Sequence, residues 1–202
     1  MLYLIGLGLD KNDLSIKALK AIKLCKEVYL EYYTSIFPYS VRELEKVIGV
    51  KVVTADRDFV EEAHTLLKRA KNKNIALLVY GDPLIATTHI SLIQEAKNMK
   101  VKVEIIHNIS ILNAITETGL EAYKFGKVTS IPKWKKNYKP VSFFDVLKEN
   151  QKAKAHTLFL FDNDLSLAEA VSYLLQQDSK YFNKKTLCIA CSCLGTKKQE
   201  IK

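Results

Sequence analysis

Ile75-Ala76-Leu77-Leu78-Val79-Tyr80, followed at once by Gly81-Asp82-Pro83, is the stretch whose reading decides the fold. The apolar run is too short for a typical helix and is bounded by polar residues and a glycine, so it reads as a strand buried on both faces. Strands of that kind belong to largely parallel sheets covered by helices. Gly81-Asp82-Pro83 then breaks the strand and leaves a carboxylate at its tip.

Outward from this strand, apolar runs alternate with helical patterns, the signature of an α/β protein. Upstream, Leu2 to Leu7 reads as a buried strand, and Asp13 is placed to cap a helix in which Leu14, Ala18, Ile22 and Cys25 share one face. Val28-Tyr29-Leu30 is the next strand, and Ser40-Val41-Arg42-Glu43 has the form of a capping box whose helix Gly49 closes. Strand Lys51 to Thr54 follows, and Asp58 with Glu61 repeats the start signal ahead of a helix from Ala63 to Lys71. Downstream lie a helix from Thr88 to Asn98, strand Val101 to His107 and a helix from Ser110. Beyond Gly119 to Gly126 come strand Val128 to Ile131, helix Phe143 to Asn150, strand Thr157 to Phe161, helix Leu165 to Gln176 and strand Leu187 to Ser192. Two α/β domains are expected, residues 1–118 and 119–202, the second incomplete at its C-terminus.

Composition is consistent with that class. The chain has 202 residues, 48% of them hydrophobic, with 7 Gly and 4 Pro, so it can bury a core and is neither disordered nor collagen-like. Met1 to Gly8 is too short to span a bilayer and has neither a basic flank nor a cleavage site, so a soluble, cytoplasmic protein is expected. Cys188, Cys191 and Cys193 crowd into one apolar run without zinc-knuckle spacing. They read as small apolar residues of a buried strand in a reducing compartment, with metal as the alternative.

The 31 Lys+Arg against 22 Asp+Glu give a net charge of +9, spread along the chain except in Lys133-Trp134-Lys135-Lys136-Asn137-Tyr138-Lys139. That mixture of lysines and aromatics reads as a solvated loop, a protein-docking segment with Trp134 as its apolar anchor, or a nucleic-acid contact.

Ligands of open α/β sheets bind beyond the carboxyl ends of the strands. Gly6-Leu7-Gly8 ends the first strand, either as a tight turn or as a close approach to a cofactor, but Lys11 stands where G-x-G-x-x-G needs its third glycine. Asp82 is either a cap or a carboxylate in a cleft, and Ser110 caps the helix it opens. No nucleophile elbow, zinc-protease helix or P-loop is present, and His64, His89, His107 and His156 are not at metal spacing. Chemistry carried by a cofactor, with no metal, is the expectation.

Tyr3 to Leu9, Gly81-Asp82-Pro83-Leu84-Ile85-Ala86-Thr87-Thr88-His89, Ile106 to Ile111, Tyr123-Lys124-Phe125-Gly126-Lys127 and His156-Thr157-Leu158 together resemble the diphthine synthases, members of the tetrapyrrole-methylase-like class of methyltransferases. The resemblance runs along the whole chain. It implies two α/β domains with S-adenosylmethionine in the cleft between them, a homodimer, and methyl transfer to a modified histidine of translation elongation factor 2 on the way to diphthamide. Membrane and nucleic acid are not expected as partners.

Carried over position by position, the cofactor contacts fall on Leu9, Asp82, Ile85, Ser110, Ile111, Phe161 and Leu194. Asp82 is expected to place the cofactor rather than to act in the chemistry, because an anion beside the sulfonium stabilises the ground state. No catalytic base is identified. Relatives commonly carry Ala-Arg-x-Gly where this chain has Ser192-Cys193-Leu194-Gly195, so the basic side chain is absent. They also continue beyond the position of Lys202, and a second domain lacking those elements is expected to bind cofactor more weakly and to dimerise through a larger interface. The competing readings are a same-fold methyltransferase acting on ribosomal RNA or a tetrapyrrole, and a non-catalytic RNA- or ribosome-associated module.

Overall fold

A computed structural model describes residues 1–202. In chain order the elements are β1 (Leu2–Gly6), α1 (Ile16–Lys23), β2 (Glu27–Glu31), α2 (Val41–Ile48), β3 (Val53–Ala55), α3 (Arg57–Glu61), α4 (His64–Asn72), β4 (Ile75–Val79), α5 (Ile90–Asn98), β5 (Val103–Ile106) and α6 (Ile111–Ala114). Two short 3-10 turns (Ile115–Thr118 and Ala122–Lys124) lead into β6 (Thr129–Ile131), α7 (Ser142–Lys152), β7 (Phe159–Phe161), α8 (Leu167–Leu175), β8 (Cys191–Ser192) and β9 (Glu200–Ile201). The chain divides into two compact units, one of residues 1–114 and 193–199, the other of 115–192 and 200–202. The segment Cys193–Gln199 thus belongs with the first unit, although it follows the expected boundary at 118/119 by many residues. No helix is long and apolar enough to cross a membrane.

The first unit is a five-stranded sheet in the order β3-β2-β4-β1-β5, with every pairing parallel. Alternation along the strands sorts the side chains into two cores. Leu2, Leu4, Leu77 and Val79 pack with Leu66 and Leu67 of α4 and Leu92 of α5. Tyr3, Ile5, Ala76 and Leu78 pack with Ile22 of α1 and Leu44 of α2 on the other face. All five residues of β1 and of β4 are buried, whereas Val53 and Thr54 of the edge strand β3 are exposed. At about 1.5–3 kcal/mol for each fully buried aliphatic side chain, the centre of the sheet carries the hydrophobic stabilisation.

Local signals explain most helix ends. Ser40 and Glu43 form the capping box of α2, and Gly49 closes that helix at φ 73°. Asp13, the expected cap of α1, does not cap it; Ser15 does, its hydroxyl accepting the Ala18 N–H at 3.1 Å, because Asp13 is turned back on its own loop. Asp56 rather than Asp58 caps α3, which stops at Glu61 before α4 begins.

The second unit pairs β6 with β7 in parallel, and a bridge between Phe125 and His156 prolongs that alignment. Asn150 of α7 is buried and mimics a peptide: its Oδ1 accepts the Lys127 N–H at 2.9 Å while its Nδ2 donates to the Lys127 carbonyl at 2.8 Å and to Thr157 Oγ1 at 3.0 Å. A Cβ on Gly126 would lie 2.2 Å from Asn150 Oδ1, so the glycine of Tyr123-Lys124-Phe125-Gly126 is required by packing. The expected buried strand Leu187 to Ser192 is not formed. Leu187 is 91% exposed, Cys188 is exposed, and only Cys191–Ser192 pairs, antiparallel to Glu200–Ile201. The run is apolar in composition, yet its first half has no neighbouring strand to pair with.

Candidate active site at the carboxyl end of the first sheet

β1 and β4 are neighbours, yet their connections leave in opposite directions: β1 leads through α1 to β2 on one side, and β4 leads through α5 to β5 on the other. A crevice opens at such a switch point. Here the two outgoing loops are stitched together. Gly8 N–H donates to the Gly81 carbonyl at 3.1 Å and Gly81 N–H donates to the Gly8 carbonyl at 2.9 Å, an exchange made at φ 76° and 72°, where glycine is unhindered. The missing side chain of Gly6 serves the same closure. A Cβ there would lie 2.6 Å from the Gly81 carbonyl oxygen, 2.9 Å from Pro83 Cδ and 3.0 Å from Asn108 Cβ. The Gly6-Leu7-Gly8 run is therefore a tight turn packed against the protein itself.

Asn108, just past β5, holds the third loop to the other two. Its Nδ2 donates to the carbonyls of Gly6 at 3.1 Å and Asp13 at 3.0 Å. Asp13 in turn accepts the N–H groups of Leu9 and Asp10 at 2.9 and 2.8 Å, and the Tyr80 hydroxyl donates to the Leu9 carbonyl at 2.8 Å. Burial, with Cys193 and the carboxylates of Asp13 and Asp10 nearby, pushes the Tyr80 phenol up to about 12, so it remains a donor at neutral pH.

Asp82 is 6% exposed and makes three contacts: Oδ1 accepts the Leu84 N–H at 2.9 Å, while Oδ2 accepts the Asn108 N–H at 3.2 Å and lies 2.8 Å from Nδ1 of His107. It is not a helix cap, since the chain stays in a loop until Ile90. The loop's far end is anchored by His89, whose Nε2 lies 3.4 Å from Glu31 Oε2 with both side chains buried, and whose Nδ1 sits 3.0 Å from the Pro83 carbonyl. Between these anchors Ala86 takes φ 56°, a conformation that a non-glycine residue keeps only when its surroundings impose it.

The expected contact residues distribute as follows. Asp82, Ile85, Ser110 and Ile111 lie together at the carboxyl end of the first sheet, where a Cβ on Gly81 would stand 3.8 Å from Ser110 Cα. Ser110 is buried and its hydroxyl accepts the Leu112 N–H at 3.2 Å, opening α6. Leu9 and Leu194 are buried in the same unit, and Leu9 packs over Gly195, where a Cβ would come within 3.0 Å of Leu9 Cδ1. Phe161 ends β7 in the second unit and is 39% exposed. The residues that sequence reasoning missed are Asn108, Tyr80, Asp13 in its loop-binding role, and the Glu31–His89 pair; only the strand-end positions of Tyr80 and Asn108 marked them beforehand.

The side chains gathered here fit a cofactor with an apolar body, and no unpaired cation of the first loop opposes a sulfonium. Ile85 and Ile111 are half-buried and Ile109 is exposed, while the carboxylates of the loops are Asp10, Asp13 and Asp82. The one lysine of the first loop, Lys11, is paired to Glu43 at 2.6 Å. No group of three or more His, Cys, Asp or Glu side chains is placed to hold a metal ion.

The basic loop of the second unit fits the solvated-loop reading, with Lys135, Lys136, Asn137, Tyr138 and Lys139 all exposed, whereas its tryptophan does not fit the docking reading. Trp134 stacks on Tyr173 with ring centroids 3.9 Å apart, its Nε1 donates to the Pro140 carbonyl at 3.0 Å, and Lys133 pairs with Glu169. Trp134 is thus spent on the core of its own unit and is no free anchor for a protein partner or stacking platform for a base.

The chain matches the family described as Tetrapyrrole (Corrin/Porphyrin) Methylases over residues 1–202. It is 46% identical to the diphthine methyl ester synthase of Schizosaccharomyces pombe over 80% of this chain, and it spans 58% of that protein's length. It is 39% identical to the Yarrowia lipolytica diphthine methyl ester synthase over 100% of this chain and 77% of that one. Among solved structures, a diphthine synthase superposes with a TM-score of 0.89 at 36% identity, covering 100% of this chain and 81% of the other. The stitched glycines, the Asp82 loop and the Asn108 clasp are therefore features of a chain that belongs to the tetrapyrrole methylase family and, within it, to the diphthine synthases.

Proposed function

We propose that this chain is an S-adenosylmethionine-dependent methyltransferase that methylates the modified histidine of translation elongation factor 2 in diphthamide biosynthesis. The observation that carries the proposal is the carboxyl end of the first sheet, where the loops after β1, β4 and β5 are locked together by Gly8, Gly81 and Asn108 and bear carboxylates rather than unpaired cations. Family membership supplies the reaction class, and the names of the two relatives specify a methyl ester of diphthine.

Bound there, S-adenosylmethionine supplies the methyl group on a sulfonium. The chain's own work is to bind and orient. Ile85 and Ile111 offer apolar contact, Ser110 fixes the start of α6, and Leu9 and Leu194 back the first loop. Asp82 acts as the expected placing residue: two backbone N–H groups and a histidine already engage its carboxylate, so its charge is spent inside the loop and not set against the sulfonium. Holding acceptor and methyl group in line supplies a large part of the rate enhancement. Phe161 is part of the same proposal as a further cofactor contact, and so are a homodimer and a cytoplasmic location.

The test is incubation with methyl-labelled S-adenosylmethionine and elongation factor 2 whose modified histidine has not been methylated. Label is expected on the elongation factor, and its absence from that protein would overturn the proposal.

A further inference from the structure

Methyl transfer to an amine needs the amine unprotonated, and His107 has the structure of a group that would take that proton. It follows β5 at the carboxyl end of the sheet, next to Asn108 and opposite the Asp82 loop. Its side chain is 66% exposed, while the carboxylate it touches is 8% exposed, with Nδ1 and Oδ2 2.8 Å apart. Oδ2 also accepts the Asn108 N–H at 3.2 Å, which fixes the carboxylate's orientation. A carboxylate only accepts, so Nδ1 is the nitrogen that donates to Asp82, and Nε2 is the one left to take up or give a proton on the solvent side. A base held in one tautomer by a buried acid, which also steadies the imidazolium once formed, is the arrangement general-base catalysis requires.

The other histidines are differently placed. His89 is 2% exposed with Glu31, Thr87 and Pro83 around its ring, His64 is the first residue of α4, and His156 packs edge-on to Phe125 in the second unit.

Building on the proposed methyl transfer, we propose that His107 is the general base for methylation of the amine of the modified histidine and is dispensable for methylation of its carboxylate. The ammonium form of the acceptor gives a proton to Nε2. The freed nitrogen lone pair then forms the N–CH3 bond while the C–S bond breaks, its electron pair staying on sulfur, which becomes a neutral thioether. The imidazolium releases the proton to water. Each methylated product is again an ammonium until its last proton is gone, so every further round on nitrogen calls on His107 anew. A carboxylate oxygen is already ionised at neutral pH and forms its O–CH3 bond with no proton to remove, so the same histidine separates nitrogen from oxygen methylation.

The experiment compares wild type, His107→Ala and His107→Gln on the unmethylated elongation factor, counting label released by mild alkali as ester and alkali-stable label as N-methyl. The variants are expected to lose N-methylation by on the order of a hundred-fold or more, to keep ester formation and S-adenosylhomocysteine affinity within about threefold, and to regain N-methylation in His107→Ala when imidazole is added. Nitrogen-15 NMR of the wild-type protein alone, at mildly alkaline pH, is expected to show His107 protonated at Nδ1, and Asp82→Asn to move that proton to Nε2. Equal loss of both methylations, no loss of either, or an Nε2-protonated ring in the wild type would overturn the proposal. Failure of the underlying function reads differently, as a wild-type protein that transfers no label of either kind.

Discussion

Replacing Asp82 by alanine removes the acceptor for two backbone N–H groups, of Leu84 and Asn108, and the partner of the His107 ring. The His107 contact is largely solvated and adds little to stability. The two backbone bonds go to a charged acceptor at a part-buried site, and leaving such donors unsatisfied costs about 1–2 kcal/mol each, so roughly 2–4 kcal/mol in all. A helix cap would cost about 1 kcal/mol. For a chain of this size each kcal/mol lowers Tm by roughly 2–4 °C, so calorimetry of Asp82→Ala should show a fall of about 4–16 °C. Asp82→Asn keeps an oxygen for the Leu84 N–H but sets an amide N–H against the Asn108 N–H, and about half the loss is expected. At temperatures well below either transition, both variants should still bind S-adenosylhomocysteine more weakly than wild type, because the loop that carries Ile85 has lost its tie to the loop that carries Ser110. Melting within 1–2 °C of wild type for Asp82→Ala, by the same conversion, would refute the view that this carboxylate organises the site.

Gly6→Ala would place a Cβ 2.6 Å from the Gly81 carbonyl oxygen, a backbone atom that cannot rotate away, so destabilisation of about 1–3 kcal/mol is expected on thermal melting, and an unchanged Tm would contradict it. Asn150→Ala strands the N–H and carbonyl of Lys127, and a loss of about 2–4 kcal/mol with faster proteolysis around Tyr123–Val128 is expected; an unaltered cleavage rate counts against it. The Lys11 ammonium and the Ser40 cap hold Glu43 down at about 2, and the Lys133 ammonium and the Ser166 cap do the same for Glu169, both well below the ordinary value of 4.5. Because these folded-state values are depressed, the stability they confer is present above pH 4.5 and is lost as pH falls toward about 2. Far-UV circular dichroism across that window should show a shallower acid transition for the Glu43→Gln, Glu169→Gln double variant than for wild type, and superimposable curves would sink the assignment.

What could be read from the sequence is what short-range physics determines. The all-apolar β4 and β1 sit at the sheet's centre because nothing in them tolerates water, and Ser40 with Glu43 caps α2 because both halves of a capping box lie within one turn. Reading failed where one residue had two available partners or where the partner lay far along the chain. Asp13 and Ser15 are both good caps, and the choice fell to Ser15 once Asp13 was claimed by the Leu9 and Asp10 N–H groups. Asn108 bonds residues 102 and 95 positions away, and Glu31, the last residue of β2, meets His89 only because the loop after β4 passes the same end of the sheet. Apolar composition misled at the cysteine-rich run, and an aromatic among lysines gave no sign of its partner. The cysteine-rich run from Leu187 is largely exposed for want of a neighbouring strand, and Trp134, conspicuous among lysines, stacks on Tyr173, which nothing nearby in sequence announces. The strand-end rule marked Asp82 and Ser110, and the resemblance added Ile85 and Ile111 at the same end of the sheet, but neither could show that Asp82 spends its charge on its own loop and on His107.

The measurement that bears most directly on the central claim, that the loops beyond β1, β4 and β5 form the cofactor site, is a crystal structure of the protein with S-adenosylhomocysteine at saturating concentration. The ligand is predicted to lie against Ile85, Ser110 and Ile111, with the Gly8–Gly81 hydrogen bonds and the Asp82–His107 contact intact. Density for the ligand at any other place, or a crevice left empty while calorimetry shows tight binding, would contradict the account.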